Sequence, residues 1–253
     1  MDFLTAPDIS PLLFVGLVVA SFFTAFLGVV TGAAGGLLLL GVMSVAMSPA
    51  VLIPVHTVVM LGTGFSRAVI MRRHIMRGTI LPFAIGAAVG AIAGAKTFIA
   101  LPIGWLQLIL GAFILLVTWV PHLGRIGAER GRFAGLGFFA TFLGVFVSAT
   151  GTLIAPLVAS AAKDRFAHAA TLGTLMMITH IAKLAAFGVI GFAVWSFAPL
   201  MAAMIIAGAA GNWIGDSMLL RMPERRFRIV LQLILTVLAL RLLWGALMQS
   251  GWL

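Results

Sequence analysis

The chain has 253 residues, of which 62% are hydrophobic and only 9% charged. A water-soluble domain carries roughly a quarter charged residues, so this composition cannot cover a globular surface in water. The net charge of +10 would suggest nucleic acid as the partner of a soluble chain. Here the Arg residues fall in short loops between apolar segments, where the positive-inside rule puts them, so the partner is the lipid bilayer and not nucleic acid. The absence of Cys removes disulfide frameworks, thiolate metal sites and Cys nucleophiles together.

The apolar segments reach the roughly 20 residues needed to cross a ~30 Å hydrocarbon layer as helix. Lipid demands that backbone groups be satisfied internally, and long runs rich in Ala, Leu and Gly mean helices, not barrel strands. The fold class expected is therefore an all-α polytopic membrane protein. The first residues carry Asp2 and Asp8 and no Lys or Arg, which is not the pattern of a cleavable signal peptide. In chain order the spacing predicts helices over Leu12–Thr31, a short Gly36–Met47, Pro49–Met71, Thr79–Leu101 and Ile103–Val120. A polar loop, Pro121–Arg132, holds Arg125, Arg130 and Arg132 with one acid, Glu129. The series then repeats as Phe133–Thr150, Thr152–Ala162, Ala167–Ile190, Phe197–Leu220 and Phe227–Gln249. No polar stretch is long enough for a soluble domain, so function lies within the membrane part.

The repeat shows in residues as well as in hydropathy. Phe14-x-Gly16-Leu17 recurs as Phe133-x-Gly135-Leu136, and each leads to a Thr-Gly pair, Thr31-Gly32 and Thr150-Gly151. Gly90-x-x-x-Gly94 matches Gly211-x-x-x-Gly215, with Pro102 and Pro223 at the same distance beyond. The expected organisation is a first membrane repeat over 1–120, a cytoplasmic basic linker over 121–132 and a second, inverted repeat over 133–253. Charge sets the orientation. Arg67, Arg72, Arg73 and Arg77 put the loop after Pro49–Met71 in the cytoplasm, as Lys163 and Arg165 do for the loop before Ala167. Arg221, Arg225, Arg226 and Arg228 mark another cytoplasmic loop, whereas the loops before Pro49 and after Ile190 carry no basic residue. Pro49–Met71 thus runs inward and Ala167–Ile190 outward, and both chain ends are expected outside. Gly36–Met47, at roughly 18 Å of helix, is too short for a comfortable crossing. With its predecessor it forms either a hairpin turning near mid-membrane or a pair of tilted, shortened spans. Inverted repeats with matched, Gly-interrupted helices point to a secondary transporter.

Two breaks are candidates for the chemistry. The first reads Thr31-Gly32-Ala33-Ala34-Gly35-Gly36 and the second Ala149-Thr150-Gly151-Thr152. A helix starting after each break aims unpaired N–H groups and a partial positive charge at the turn, which suits a small anion. Gly90, Gly94, Gly208, Gly211 and Gly215 are instead read as sites of tight helix packing. Ionisable groups within spans are costly, so each is a candidate. Lys183 follows Thr179 and His180 by about one turn, on roughly one face. It either coordinates an anion or snorkels and pairs with Asp216. His56 is a proton carrier or a polar packing residue, and Asp216 a second coupling candidate or a group at the membrane edge. Arg241 satisfies a carbonyl or a lipid headgroup. Trp105, Trp119, Trp244 and Trp252 are interface or packing aromatics.

These residues resemble the sulfite exporter TauE/SafE family (DUF81, or TSUP). The resemblance rests on Gly28-x-x-Thr31-Gly32-x-x-Gly35-Gly36, on Ala149-Thr150-Gly151-Thr152-Leu153-Ile154-Ala155-Pro156, and on Thr171 through Thr179-His180-x-x-Lys183 to Phe187-Gly188. It extends to Gly211-x-x-x-Gly215, Pro223-x-x-x-Phe227 and Arg241-Leu242-Leu243. Two departures stand out: Leu39-Leu40-Gly41 where many members carry Pro, and Thr152 where Gly or Pro is expected. The resemblance implies transport of small sulfur-containing anions such as sulfite, sulfoacetate or other organosulfonates.

The expectation is an inner-membrane secondary transporter working by alternating access, with no cofactor, no metal and no catalytic residue. Thr31, Gly32, Gly35, Gly36, Thr150, Gly151 and Thr152 would supply donors to the small anionic substrate, and Thr179, His180 and Lys183 the hydroxyl, imidazole and charge. A homodimer is compatible with the sequence. The competing readings are an intramembrane enzyme and a membrane scaffold. The first needs paired acids, a nucleophile–base pair or metal ligands that the spans lack; the second leaves the two matched breaks unexplained.

Overall fold

The computed structural model describes residues 9–31, 35–70, 72–119, 130–148, 150–189, 191, 194–218 and 224–250. Among them the chain is helical: α1 Pro11–Thr31, α2 Gly35–Ala46, α3 Pro49–Ile70, α4 Arg77–Ala100, α5 Ile103–Trp119, α6 Arg130–Val147, α7 Gly151–Ala161, α8 Arg165–Val189, α9 Ala198–Met218 and α10 Glu224–Ser250. Short 3-10 turns cover Arg72–His74 and Val194–Phe197. Every segment expected from hydropathy is present, and among the described residues no end is displaced by more than a single helical turn; the expected ends Met71, Val120, Ile190 and Leu220 lie outside them. One boundary is corrected. Arg130 and Arg132 belong to the first turn of α6 and not to the linker, because the helix continues past the apolar run into its basic flank. The rest of that linker, 121–129, lies outside the described residues.

Four helical stretches are long and apolar enough to cross a membrane: Pro11–Gly28, Arg77–Ala100, Phe166–Val189 and Trp195–Gly215. Their outer surfaces agree with that environment. Leu12, Trp195 and Trp213 are 84%, 85% and 78% exposed, a display of large apolar side chains that lipid accepts and water does not.

The chain divides into two compact units that are interleaved along the sequence. The first comprises Met1–Thr63, Pro102–Trp119 and Ala193–Leu253; the second comprises Gly64–Leu101 and Val120–Phe192.

In the first unit α1 packs against α9 and α5 against α10. A Cβ on Gly211 would fall on the Phe22 carbonyl oxygen, so the missing side chain is what lets the two backbones meet. The Ser21 hydroxyl donates to the Met204 carbonyl at 2.8 Å across the same seam. Trp119 Nε1 donates to Thr236 Oγ1 at 3.0 Å between α5 and α10. Arg241 Nη2 lies 3.5 Å from the Val45 carbonyl oxygen, the carbonyl partner expected for it.

In the second unit α4 and α6 interlock at Gly86, Gly90 and Gly137, where an added Cβ would fall on the carbonyls of Ala134, Phe138 and Phe83. The short α7 is buried against them through Ile154, Leu157 and Val158, packed with Phe83, Phe133 and Leu175. The start of α8 is capped by Asp164, which accepts from the Ala167 N–H at 2.7 Å. That bond first, then the Phe166 N–H and the nearby Lys163 and His74, hold the Asp164 carboxyl below the usual carboxylate range against a smaller opposing effect of burial. The Met76 N–H donates to Thr171 Oγ1 at 3.0 Å, tying the turn before α4 to α8.

Candidate anion site at the helix break

The second unit holds a buried cation beside a helix break. α6 ends at Val147, and Ser148 takes a left-handed backbone conformation with φ 56°. A residue with a side chain seldom holds this conformation, and here it turns the chain sharply out of α6. Thr150 then precedes α7, which begins at Gly151. Its hydroxyl makes no capping bond. The first hydrogen bonds of α7 run from the Leu153 and Ile154 amides to the Thr150 carbonyl, at 3.0 and 3.2 Å. The Gly151 and Thr152 amides precede these bonds and so have no acceptor within the helix itself.

Lys183, on α8, is fully buried, and its Nζ donates to Ser148 Oγ at 2.9 Å. Gly144 makes room for it. A Cβ there would lie 3.3 Å from Lys183 Cδ and 3.0 Å from Thr150 Cγ2, so the bare backbone of α6 is what both side chains rest on. Two turns before Ser148 on α6, the Thr141 hydroxyl is buried and has no hydrogen-bond partner among the described residues. Asp164 is the one acid among the described residues of this unit, and it caps the far end of α8, several turns from Lys183. The partner of Lys183 among the described residues is thus a neutral hydroxyl, and the Asp216 side chain, the carboxylate expected as its alternative partner, lies outside them. An ammonium buried this way requires a negative partner or full hydrogen bonding.

The other expected residues are placed as follows. Thr179 is buried one turn before Lys183, but its hydroxyl donates to the Leu175 carbonyl at 3.0 Å, the back-bond of a Thr inside a helix. To serve an anion this hydroxyl would have to turn away from the Leu175 carbonyl. His180 is 3% exposed on the same helix. In the first unit, Gly35 lies against Gly28 and the Thr24 carbonyl, so its missing side chain serves the close packing of α1 and α2. His56 is buried, and its Nε2 donates to the Gly36 carbonyl at 2.9 Å; a carbonyl only accepts, so Nε2 carries the proton. His56 thus braces the start of α2 from α3. Gly32 lies outside the described residues, and so do the side chains of Thr31, Thr152 and Asp216.

Sequence reasoning missed Ser148, Gly144 and two methionines. Met60 Sδ lies 3.1 Å from where a Gly36 Cβ would sit, and Met176 Sδ lies 3.5 Å from the same point on Gly151. Each short helix therefore starts against a Met of the next long helix. The signal was present as a repeated spacing: Met60-x-x-Thr63-x-x-x-Arg67 and Met176-x-x-Thr179-x-x-x-Lys183. No group of three or more His, Cys, Asp or Glu side chains that could hold a metal occurs among the described residues.

Long apolar helices with lipid-compatible surfaces define a multi-pass helical membrane protein. The family follows from comparison: the model of the sulfite exporter TauE/SafE family matches residues 17–242, and the chain belongs to that family. This is a family of membrane transporters for sulfur anions such as sulfite. No curated protein and no solved structure matches the chain.

Proposed function

We propose that this protein is a secondary transporter that moves small sulfur-containing anions, such as sulfite, sulfoacetate or related organosulfonates, across the cell inner membrane by alternating access. The observation that carries this reading is the fully buried Lys183 ammonium, which donates to the Ser148 hydroxyl beside the start of α7. A pyramidal or tetrahedral oxyanion there would receive the ammonium, the amides of Gly151 and Thr152, and the Thr150 hydroxyl. His180, about one turn before Lys183 on α8, is proposed as a further contributor.

The inverted duplication is part of the proposal. It is supported by the matching pairs of helices, α1 with α9 in one unit and α4 with α6 in the other. The two Met–Gly contacts at the starts of α2 and α7 support it as well. In the first unit we propose Thr31, Gly32, Gly35 and Gly36 as the corresponding main-chain and hydroxyl donors, with His56 and Asp216 as groups for proton coupling. By the distribution of basic loops, the chain ends lie on the extracytoplasmic side.

The test is uptake of radioactive sulfite into proteoliposomes. The wild-type protein should carry sulfite against a control of empty vesicles, and Lys183→Ala should lower flux by about a hundredfold, the scale of losing one charge-assisted contact in a dry site. Equal flux for Lys183→Ala and wild type would remove Lys183 from the transport site.

A further inference from the structure

Resting on the reading of Lys183 as the anion's partner, we infer that the site selects by charge. At the head group that meets Lys183 it takes a single negative charge, as on a sulfonate R–SO3⁻ or hydrogensulfite, and rejects a head that carries two, as in sulfate or fully ionised sulfite; the second charge of sulfoacetate sits on a separate carboxylate and is outside this count. The reason is the number of charges buried beside the break. Lys183 is fully buried, while Arg72, Arg73, Arg77, Lys96, Arg132 and Lys163 of the same unit are exposed. Among the described residues, the groups against Lys183 and the start of α7 are neutral: Ser148, Gly144, Thr150 and Met176. Asp164, the one acid among this unit's described residues, is exposed at the other end of α8.

A monoanion against one ammonium makes a neutral pair, and the low-dielectric surroundings then favour the complex. A doubly charged head leaves one negative charge uncompensated. The start of α7 offers about half a unit of positive charge, which falls short of the second charge needed. His180, one turn before Lys183 and 3% exposed, is the one other side chain of α8 near this level that could become cationic. As a neutral imidazole it leaves the count at one. An uncompensated buried charge costs a factor of about a hundred or more in affinity. Sulfite would accordingly be carried as hydrogensulfite, with its proton on the cargo.

Charge can be separated from shape with two probes that share a tetrahedral –SO3 head and do not titrate near neutrality, methanesulfonate and sulfate. The measurement is calorimetric titration of the purified full chain in detergent with each sodium salt at matched ionic strength. The dissociation constant for methanesulfonate should lie about a hundredfold or more below that for sulfate. Lys183→Arg should keep that ratio, and Lys183→Met should lose methanesulfonate binding. The wild-type ratio needs no variant, so the inference stays testable if Lys183→Met fails to fold. Sulfate binding as tightly as methanesulfonate, with both lost in Lys183→Met, would overturn the charge rule and leave the site standing. Sulfate binding that falls in His180→Gln would overturn it by assigning the second charge to His180. Methanesulfonate binding unchanged in Lys183→Met, or no binding of either anion, would overturn the site itself.

Discussion

Ser148 holds its backbone at φ 56° while its hydroxyl accepts the hydrogen bond of the buried Lys183 ammonium at 2.9 Å. The left-handed region costs a residue with a Cβ about 1–2 kcal/mol, and Gly escapes that cost. Ser148→Gly therefore relieves the backbone and loses the hydroxyl, whereas Ser148→Ala keeps the strain and loses the hydroxyl too. Both variants should transport poorly, because both leave the ammonium without its partner. The glycine variant should be the more stable by about 1 kcal/mol, read as a higher Tm in detergent. Equal Tm values would mean that the turn out of α6 is not strained at this position. Lys183 was legible in the sequence because an ionisable group inside an apolar run stands out against its neighbours. Ser148 was not, since the usual mark of a positive φ is Gly or Asn, and Val147-Ser148-Ala149 carries neither.

At the scale of elements, hydropathy located each helix because lipid permits no alternative way to satisfy the backbone along an apolar run. It could not say which helices touch. Gly90-x-x-x-Gly94 and Gly211-x-x-x-Gly215 announce a close neighbour, and the neighbour turns out to be α6 for the first pair and, at Gly211, α1. A small residue advertises an absent side chain and nothing about the partner that fills the space. The same geometry that explains Gly90 predicts its opposite nearby. A Cβ at Gly90 would fall on the Phe138 carbonyl oxygen, a backbone atom that cannot yield, while a Cβ at Gly135 on α6 would meet nothing within 4 Å. Gly90→Ala should destabilise by about 1–3 kcal/mol or more through forced separation of α4 and α6. Gly135→Ala should be neutral or stabilising by up to about 1 kcal/mol, since Ala is the better helix former. Thermal unfolding of both variants in one detergent reads the contrast. Matching losses would show that α4 and α6 do not meet at these glycines.

On the scale of the whole molecule, what remains to be tested is sidedness, and the sequence offers a clean route to it. The natural chain has no Cys, so a single introduced Cys is the only thiol a reagent can find. Ser48 lies between α2 and α3, and Lys163 between α7 and α8; both are exposed. These are corresponding positions in the proposed duplication, each following a short helix. Yet their surroundings differ in charge: Lys163 is followed by Arg165, while no Lys or Arg lies near Ser48 until Arg67. Basic loops are retained in the cytoplasm because moving Lys and Arg through the membrane is opposed during insertion. In a chain duplicated without inversion the two positions would label from the same side. With inversion they must label from opposite sides. An impermeant maleimide applied to intact cells should react with Ser48→Cys and spare Lys163→Cys, and it should reach Lys163→Cys, along with Arg73→Cys, only after the membrane is opened. Labelling of both corresponding positions from one side would remove the inverted repeat from the proposal.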